Sequence, residues 1–293
     1  MFSLDYNPEW LLAYRFEALT SFFKIFPIFV NEYFCFTVIA LGYWLRPQNR
    51  VFIYLGLLVP LTAISNHSLK NLFAIPRPPS AYHLIQMGPS YGFPSGDAML
   101  ATVFFGMIYL ATTSRALKLL CLSIVLCVMA SRVYLGVHSP YDVVGGAFFG
   151  LVIIALWNSM KKKNTKDDFF GETNIMMWLL FFIIFSSTLK DGPMPRAVVM
   201  SFGALMGWGL ARSSIHQNLK LAGNKPPVPL TQIPLNKWIT VGISLALLIA
   251  ISKFIPMPKD SPIGVGFIGF AKYALIANLI YSALPKFQRW SEA

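Results

Sequence analysis

The stretch PSGDAMLATVFFGMIYLATTSRALKLLCLSIVLCVMASRVYLGVHSPYD, residues 94–142, holds two apolar runs with a polar cluster at each end. The runs, 96–113 and 117–134, are each nearly long enough to cross ~30 Å of hydrocarbon as a helix. Ser114 and Arg115 interrupt them, which predicts two membrane helices joined by a short connection. Such a pair brings the two polar clusters to the same face of the membrane.

Similar apolar runs continue outward along the chain in both directions. About nine spans are predicted, at 26–45, 51–69, 96–113, 117–134, 141–159, 174–189, 196–212, 237–256 and 263–283. Polar and apolar residues at helical spacing predict an interfacial helix over residues 8–24. The glycine pairs 146/150 and 203/207 predict close contacts between helices. We therefore expect an all-α, polytopic membrane bundle preceded by an interfacial helix.

The composition supports a membrane protein. Of the 293 residues, 56% are hydrophobic and 12% are charged, whereas soluble domains carry roughly 25% charged residues. The net charge of +12 predicts contact with anionic lipid headgroups and no nucleic-acid partner. Cys35, Cys121 and Cys127 all lie in apolar runs, with no spacing typical of disulfides or metal sites.

The distribution of basic residues orients the predicted bundle. Loops on the side of Arg46, Arg115 and Lys161 carry more lysines and arginines than loops on the other side. The positive-inside rule places the more basic side in the cytoplasm. The polar clusters then lie on the non-cytoplasmic face, which is the periplasmic face of a bacterial inner membrane or the lumenal face in a eukaryote.

The polar clusters have the residue types of a phosphate site. Arg77 and Arg132 can each bind phosphate oxygens through a planar guanidinium, and Lys70 adds a compact charge. Gly92, Ser95 and Gly96, in the segment 92–96, precede a span, so free backbone N–H groups there are expected to face the same anion. Phosphoryl transfer depends mainly on positioning and charge stabilisation, so we predict no metal and no cofactor.

His138 is the candidate nucleophile, because a neutral imidazole can attack phosphorus and form a phospho-histidine. Asp142 is expected to hold the other ring nitrogen and fix the tautomer. Asp97 is the nearest acid that can protonate the leaving oxygen. Both aspartates also fit a purely structural role at helix N-termini, and Lys70 and Arg77 also fit the role of headgroup anchors.

Together these residues resemble the type 2 phosphatidic acid phosphatase superfamily, which includes glucose-6-phosphatases, sphingosine-phosphate phosphatases and vanadium haloperoxidases. The family signature K-x6-RP, PSGH and SR-x5-H-x3-D is kept at every spacing between residues 70 and 142, with one substitution. The resemblance implies His138 as nucleophile oriented by Asp142. It also implies a phosphate pocket that consists of Lys70, Arg77, Ser95, Gly96 and Arg132.

The resemblance also suggests a division of the chain. Residues 1–25 are predicted as the interfacial helix, 26–159 as the catalytic core and 160–293 as additional transmembrane helices.

Asp97 is the substitution, since the family has a second histidine there as its usual general acid. A carboxylic acid donates a proton only when it is held protonated, and neighbouring cations favour its ionised form. Either Asp97 acts as the acid once phosphate and burial favour protonation, or protonation is weaker and better leaving groups such as diphosphates are preferred. An inactive or repurposed protein is the third alternative.

The leading hypothesis is an integral membrane phosphatase that hydrolyses a lipid-linked phosphate or diphosphate monoester through a phospho-histidine. Its predicted partners are that substrate and membrane lipids. Two alternatives use the same residues: a lipid phosphotransferase with the same intermediate, and a sugar-phosphate phosphatase. A transporter that binds a lipid headgroup is the alternative from another class, and it predicts charged or broken helices at mid-membrane on several spans.

Overall fold

The computed structural model describes residues 8–47, 49–163, 196–222, 233–255 and 262–286. Within these ranges the regular structure is entirely helical, which confirms the predicted all-α class. The α-helices are α1 (Glu17–Phe23), α2 (Glu32–Leu45), α3 (Val51–Phe73), α4 (Gly96–Ala111), α5 (Arg115–Tyr134), α6 (Pro140–Lys163), α7 (Arg196–Leu210), α8 (Arg212–Ala222), α9 (Leu235–Phe254) and α10 (Pro262–Asn278). Short 3-10 helices cover Glu9–Tyr14, Phe26–Val30 and Ser80–Tyr82, and a π-helix covers Leu279–Ala283.

Four helices of the described chain are long and apolar enough to cross a membrane. They are Val51–Phe73, Arg115–Tyr134, Pro140–Met160 and Ile268–Lys286. Two bent pairs bring the number to six if each pair counts as one span; they are Glu17–Val30 with Glu32–Leu45, and Val198–Leu210 with Arg212–Leu221.

The predicted number of about nine spans is therefore not confirmed. The predicted spans 26–45 and 196–212 fall on the bent pairs, whose bends are 52° and 53°. Helix α4 and the segment Leu235–Ile251 are apolar but shorter than the four candidate spans. The predicted span 174–189 lies outside the described residues.

The predicted interfacial helix over 8–24 is two short helices. The 3-10 helix Glu9–Tyr14 and helix α1 are separated by Arg15 and Phe16, whose backbones are extended. The break has a physical cause, because the Arg15 side chain turns inward and donates to backbone carbonyl groups far along the sequence.

The chain divides into two compact units. Unit 1 comprises the described residues within 1–34 and 62–191, and unit 2 comprises those within 35–61 and 192–293. The division falls inside helix α2, directly after Phe34, and inside helix α3, directly after Leu61. The functional regions 1–25, 26–159 and 160–293 stay a prediction.

In unit 1, helices α4 and α6 pack closely along a row of glycines. A Cβ atom at Gly146 would overlap the carbonyl oxygen of Ser95, and one at Gly150 would lie 2.8 Å from the Cβ atom of Thr102. The missing side chains let the two backbones approach, as the spacing of the glycines predicts. This contact fixes the beginning of α4 against the first turns of α6.

Unit 2 uses the same device between helices α7 and α10. Cβ atoms at Gly203 and Gly207 would overlap the carbonyl oxygens of Phe270 and Ala274. The hydroxyl group of Tyr281 donates to the carbonyl group of Phe52 at 2.8 Å. Unit 2 is therefore held by close backbone packing and by hydrogen bonds to backbone groups.

Candidate active site

Lys70 lies in the last turn of α3, with its side chain directed inward. Its ammonium group donates to the carbonyl oxygens of Tyr91 and Gly92, the second at 3.4 Å. Asn66, one helical turn earlier, donates to the carbonyl oxygen of Pro94 at 3.1 Å. One face of α3 thus fixes the loop that leads into helix α4.

Arg77 follows α3 and reaches across unit 1. Its Nη1 atom lies 2.9 Å from Nε2 of His138 and donates to the carbonyl oxygen of Val137 at 3.0 Å. Its Nε and Nη2 atoms donate to the carbonyl oxygen and the hydroxyl group of Ser90, at 3.1 and 2.8 Å. The guanidinium is therefore held in one orientation beside the candidate nucleophile.

His138 is 2% exposed and lies between Arg77 and Asp142. Its Nδ1 atom is 3.3 Å from Oδ2 of Asp142. A guanidinium has only donors, so Nε2 accepts from Arg77 and the ring proton lies on Nδ1, facing Asp142. Burial lowers the pKa of His138 to about 4, and the imidazole is neutral at pH 7. The lone pair is thus on Nε2, as nucleophilic attack requires.

Asp142 combines the structural and the functional role expected for it. Its Oδ2 atom accepts the backbone N–H of Ser139 at 2.8 Å, and the Ser139 hydroxyl accepts the backbone N–H of Asp142 at 3.2 Å. This reciprocal pair caps the first turn of α6. The same carboxylate oxygen faces His138, so the helix cap also orients the imidazole.

Ser95 is the N-cap residue of helix α4, yet its hydroxyl group makes no capping hydrogen bond. This hydroxyl is buried, and so is Nε of Arg132; neither atom has a hydrogen-bond partner among the described residues. A buried polar group without a partner costs about 1–3 kcal/mol. Both atoms are available to an anionic ligand.

Asp97, in the first turn of α4, forms an ion pair with Arg132. Its Oδ2 atom lies 2.5 Å from Nη2 of Arg132. The side chain of Arg132 is 6% exposed and that of Asp97 is 33% exposed. Asp97 is therefore the partner nearer the protein surface, and the guanidinium of Arg132 is the buried partner.

The prediction that free backbone N–H groups in the segment 92–96 face the bound anion is wrong in part. The N–H of Gly92 donates to the carbonyl oxygen of Ile75 at 2.8 Å, and that of Ser95 donates to the carbonyl oxygen of Asp142 at 2.9 Å. Gly96 and the next residues of α4 begin the helix, and N–H groups in a first turn have no acceptor within their helix. That first turn is the part of the segment that can face an anion.

All the predicted site residues lie in unit 1; they are Lys70, Arg77, Ser95, Gly96, Asp97, Arg132, His138 and Asp142. Burial lowers the pKa of Arg77, while the carboxylates of Asp97 and Asp142 raise it, so the two carboxylates act on one electrostatic site. Within the described ranges, no group of three or more His, Cys, Asp or Glu residues could hold a metal ion. That the predicted phosphoryl transfer needs no metal stays a prediction.

Two supporting residues were not predicted from the sequence, Asn66 and Ser90. The sequence could have identified Asn66, because it is a polar residue in an apolar helix, one turn before Lys70 on the same face. No sequence pattern identifies Ser90, since it lies in a loop whose path depends on tertiary contacts. Both hold other site residues or the site backbone in place through hydrogen bonds.

The N-terminal segment of unit 1 supports the turn before His138. Arg15 donates to the carbonyl oxygen of Tyr82 at 2.6 Å and lies 3.4 Å from that of Tyr134. Gly136 has a φ of +73° and leaves no room for a Cβ atom against the Tyr82 carbonyl group. The turn therefore needs glycine, and Arg15 fastens the two segments that meet there.

Comparisons with known proteins give a family match and two curated relatives. Residues 51–166 match the model of the PAP2 superfamily, which confirms the resemblance drawn from the motifs. The chain is 26% identical over 204 residues to the probable sphingosine-1-phosphate phosphatase of Dictyostelium discoideum, an alignment that covers 62% of this chain and 50% of that protein. It is 25% identical over 201 residues to lipid phosphate phosphatase delta of Arabidopsis thaliana, which covers 61% and 47%.

The chain thus spans about half the length of the curated relatives it matches. No solved structure gives a significant match.

Proposed function

We propose, since residues 51–166 match the PAP2 superfamily, that this protein is an integral membrane phosphatase for a lipid-linked phosphate or diphosphate monoester. The observation that carries the proposal is the position of His138. The imidazole is neutral, its proton faces Asp142, and its lone pair faces the guanidinium of Arg77. A nucleophile and its orienting carboxylate are thus in contact beside a cation that can hold phosphate.

Phosphate binding would use the donors that have no partner in the described chain. The hydroxyl group of Ser95 and Nε of Arg132 are buried and available, and the first turn of α4 adds backbone N–H groups. Arg77 covers Nε2 of His138 at 2.9 Å. A phosphate oxygen that draws Arg77 to itself would therefore expose the lone pair at the moment of binding.

The chemical step follows from this arrangement. Nε2 of His138 forms a bond to phosphorus while the bond to the leaving oxygen breaks, and the electron pair stays on that oxygen. Asp142 stabilises the positive charge that develops on the imidazole, and Arg77 and Arg132 stabilise the equatorial oxygens. Water then hydrolyses the phospho-histidine and restores the imidazole.

Whether the leaving oxygen is protonated during the reaction depends on Asp97. To act as a general acid, its carboxyl group must leave Arg132 and carry a proton. The ion pair at 2.5 Å supports the other alternative, in which Asp97 stays a carboxylate and good leaving groups are preferred. Phosphate release from esters whose leaving groups differ in acidity tests this, because Asp97→His should speed up the poorest leaving groups most.

The proposed site faces the non-cytoplasmic side, as the charge distribution predicts. Ser80 lies between α3 and α4, and Lys163 ends α6. Single cysteines at these two positions, in a protein whose native cysteines are replaced, should react with an impermeant thiol reagent from opposite sides. If both react from the same side, the proposed orientation fails.

The phosphatase proposal is tested on purified protein with phosphatidate, phosphatidylglycerol phosphate, a prenyl diphosphate and a sphingoid phosphate. We expect phosphate release from at least one of them, a loss of about 10⁴-fold or more in His138→Ala, and normal turnover in His216→Ala, a control in unit 2. A radiolabelled phospho-enzyme should form in wild type and not in His138→Ala.

The same assay separates the alternatives. A phosphotransferase would pass the label to an added alcohol, and a headgroup-binding transporter would retain the ester intact. Full turnover in His138→Ala would refute the assignment of the nucleophile.

A further inference from the structure

The ion pair between Asp97 and Arg132 has an asymmetry that bears on the substrate. Arg132 is almost fully buried, and one third of the Asp97 side chain is exposed. A phosphate that binds Arg132 competes with the carboxylate for the guanidinium. Because Asp97 is the outer partner, its carboxylate can move aside while Arg132 stays in place.

The displaced carboxylate then needs a new partner. The site holds three basic side chains, Lys70, Arg77 and Arg132, against the two carboxylates of Asp97 and Asp142, so its net charge is at most +1 when His138 is neutral. A bound phosphate dianion makes the net charge of the site negative. A cation brought by the substrate would restore neutrality, and in a partly buried site charge balance has a large effect on binding.

The positions of the two carboxylates indicate which one would meet that cation. Asp142 is occupied by His138 and by the backbone of Ser139. In-line displacement places the leaving oxygen on the side of phosphorus away from His138. Asp97 belongs to the other pair, with Arg132, and its side chain is 33% exposed whereas Asp142 is 2% exposed. Asp97 is therefore the carboxylate that a substrate group can reach from outside the protein.

We propose that Asp97 selects phosphate esters that carry a protonated amine close to the scissile bond. Phosphate takes the place of Asp97 on Arg132, and the freed carboxylate pairs with the ammonium group of the substrate. The ammonium group is then held beside the departing oxygen, where its charge stabilises the negative charge that develops there. This selectivity rests on the proposed phosphatase function and goes beyond it.

A pair of substrates that differ in one charge tests the selectivity. Sphingosine-1-phosphate carries a free amine two carbons from the ester oxygen, and N-acetylsphingosine-1-phosphate has the same chain and phosphate with an uncharged amide. We expect full-length wild type in mixed micelles to show a kcat/KM about tenfold higher for the amine. The expected size is that of a partly desolvated charge pair.

Substitution of Asp97 shows whether this residue is the cause. In Asp97→Asn the ratio between amine and amide should fall to about one, with the amide still hydrolysed, and Asp97→Glu should keep part of the preference. Glu17→Gln, the same chemical change at an exposed position of α1, should leave the ratio unchanged. A ratio near one in wild type, or one that persists in Asp97→Asn, would overturn the proposal.

A second measurement needs only the wild-type protein. We expect 2-aminoethyl phosphate to inhibit phosphatidate hydrolysis more strongly than ethyl phosphate, and equal inhibition would refute the role of the ammonium group. In both experiments continued hydrolysis of phosphatidate shows that the phosphatase function stands although the selectivity fails. Absence of phosphate release from every substrate would instead refute the phosphatase itself.

Discussion

Units 1 and 2 both bury polar side chains, but the two sets differ in their hydrogen-bond partners. In unit 2 the amide group of Asn218 donates to the hydroxyl group of Tyr43 at 2.9 Å, and the indole of Trp44 donates to the carbonyl oxygen of Ile280 at 2.9 Å. In unit 1 the hydroxyl group of Ser95 and Nε of Arg132 have no partner within the described chain, and the buried set around them includes His138 and Asp142. Among the described residues of unit 2, the corresponding atom is Nε of Arg46, without a buried histidine or carboxylate in that unit. Polar groups that are paired stabilise a fold, whereas buried donors without a partner that accompany a buried histidine and carboxylate indicate a ligand.

The largest expected difference between the units concerns their buried cations. Arg132→Ala in unit 1 should lower kcat/KM by about 10²–10³-fold, because a donor to the transferring phosphoryl group is lost. Lys272→Met in unit 2 removes a cation that is also buried, at 5% exposure, and should leave kcat/KM within about twofold per folded molecule. A comparable loss in both variants would show that the catalytic machinery is not confined to unit 1.

The glycine rows provide the second comparison. Gly146→Ala and Gly203→Ala both force backbones apart and should each cost about 1–3 kcal/mol of stability. Gly146 faces the carbonyl group of Ser95, so Gly146→Ala should also displace the phosphate site and lower kcat by about tenfold or more. Thermal denaturation and turnover, measured on both variants, separate the effects. An equal loss of turnover in the two variants would contradict the distinction.

The third comparison uses pH. The pKa of His138 is lowered to about 4, so the unfolded chain takes up this proton before the folded protein does. Stability therefore falls as the pH decreases from about 6.5 towards 4, by roughly 2 kcal/mol at pH 5 from this group. His138→Asn should flatten this dependence in thermal denaturation between pH 7 and 5, and the unit 2 control His216→Asn should not. An unchanged slope in His138→Asn would mean that another group causes the acid instability.

The smallest effect is expected from the paired polar groups of unit 2. Tyr43→Phe removes the acceptor of the Asn218 amide and should cost about 1 kcal/mol, the net contribution of a typical hydrogen bond. Turnover should be unchanged, because these groups are outside the proposed site. Thermal denaturation measures the first quantity and phosphate release the second. A loss of turnover without a loss of stability would assign unit 2 a part in the reaction.

The site residues were predictable to a large extent, because three short motifs with fixed spacings contain them. His138 lies two residues before α6 and Asp142 lies in its first turn, so the contact between them is local in the sequence. The position of Arg77 beside Nε2 of His138 was not predictable, since these residues are 61 positions apart and Arg77 lies in the irregular segment between α3 and α4. The pairing of Asp97 with Arg132 also depends on how α4 and α5 pack.

The fold was predictable in class and less so in its spans. Apolar composition indicates helices within a membrane, but it does not show where a helix bends. Arg15 illustrates the limit, because it lies within the interfacial helix predicted over residues 8–24. In the structure its side chain binds two carbonyl groups, and the helix is interrupted there. Such a contact outweighs local helical propensity, which is worth less than about 1 kcal/mol per residue.

The contact between Arg15 and the Tyr134 carbonyl group joins positions 119 residues apart. The two partners of this contact are therefore synthesised at different times. Arg15 is synthesised long before its partner Tyr134, which ends α5 shortly before His138. This support of the site is therefore completed in the same interval of synthesis as the candidate nucleophile, and a nascent chain that stops short of residue 134 has neither.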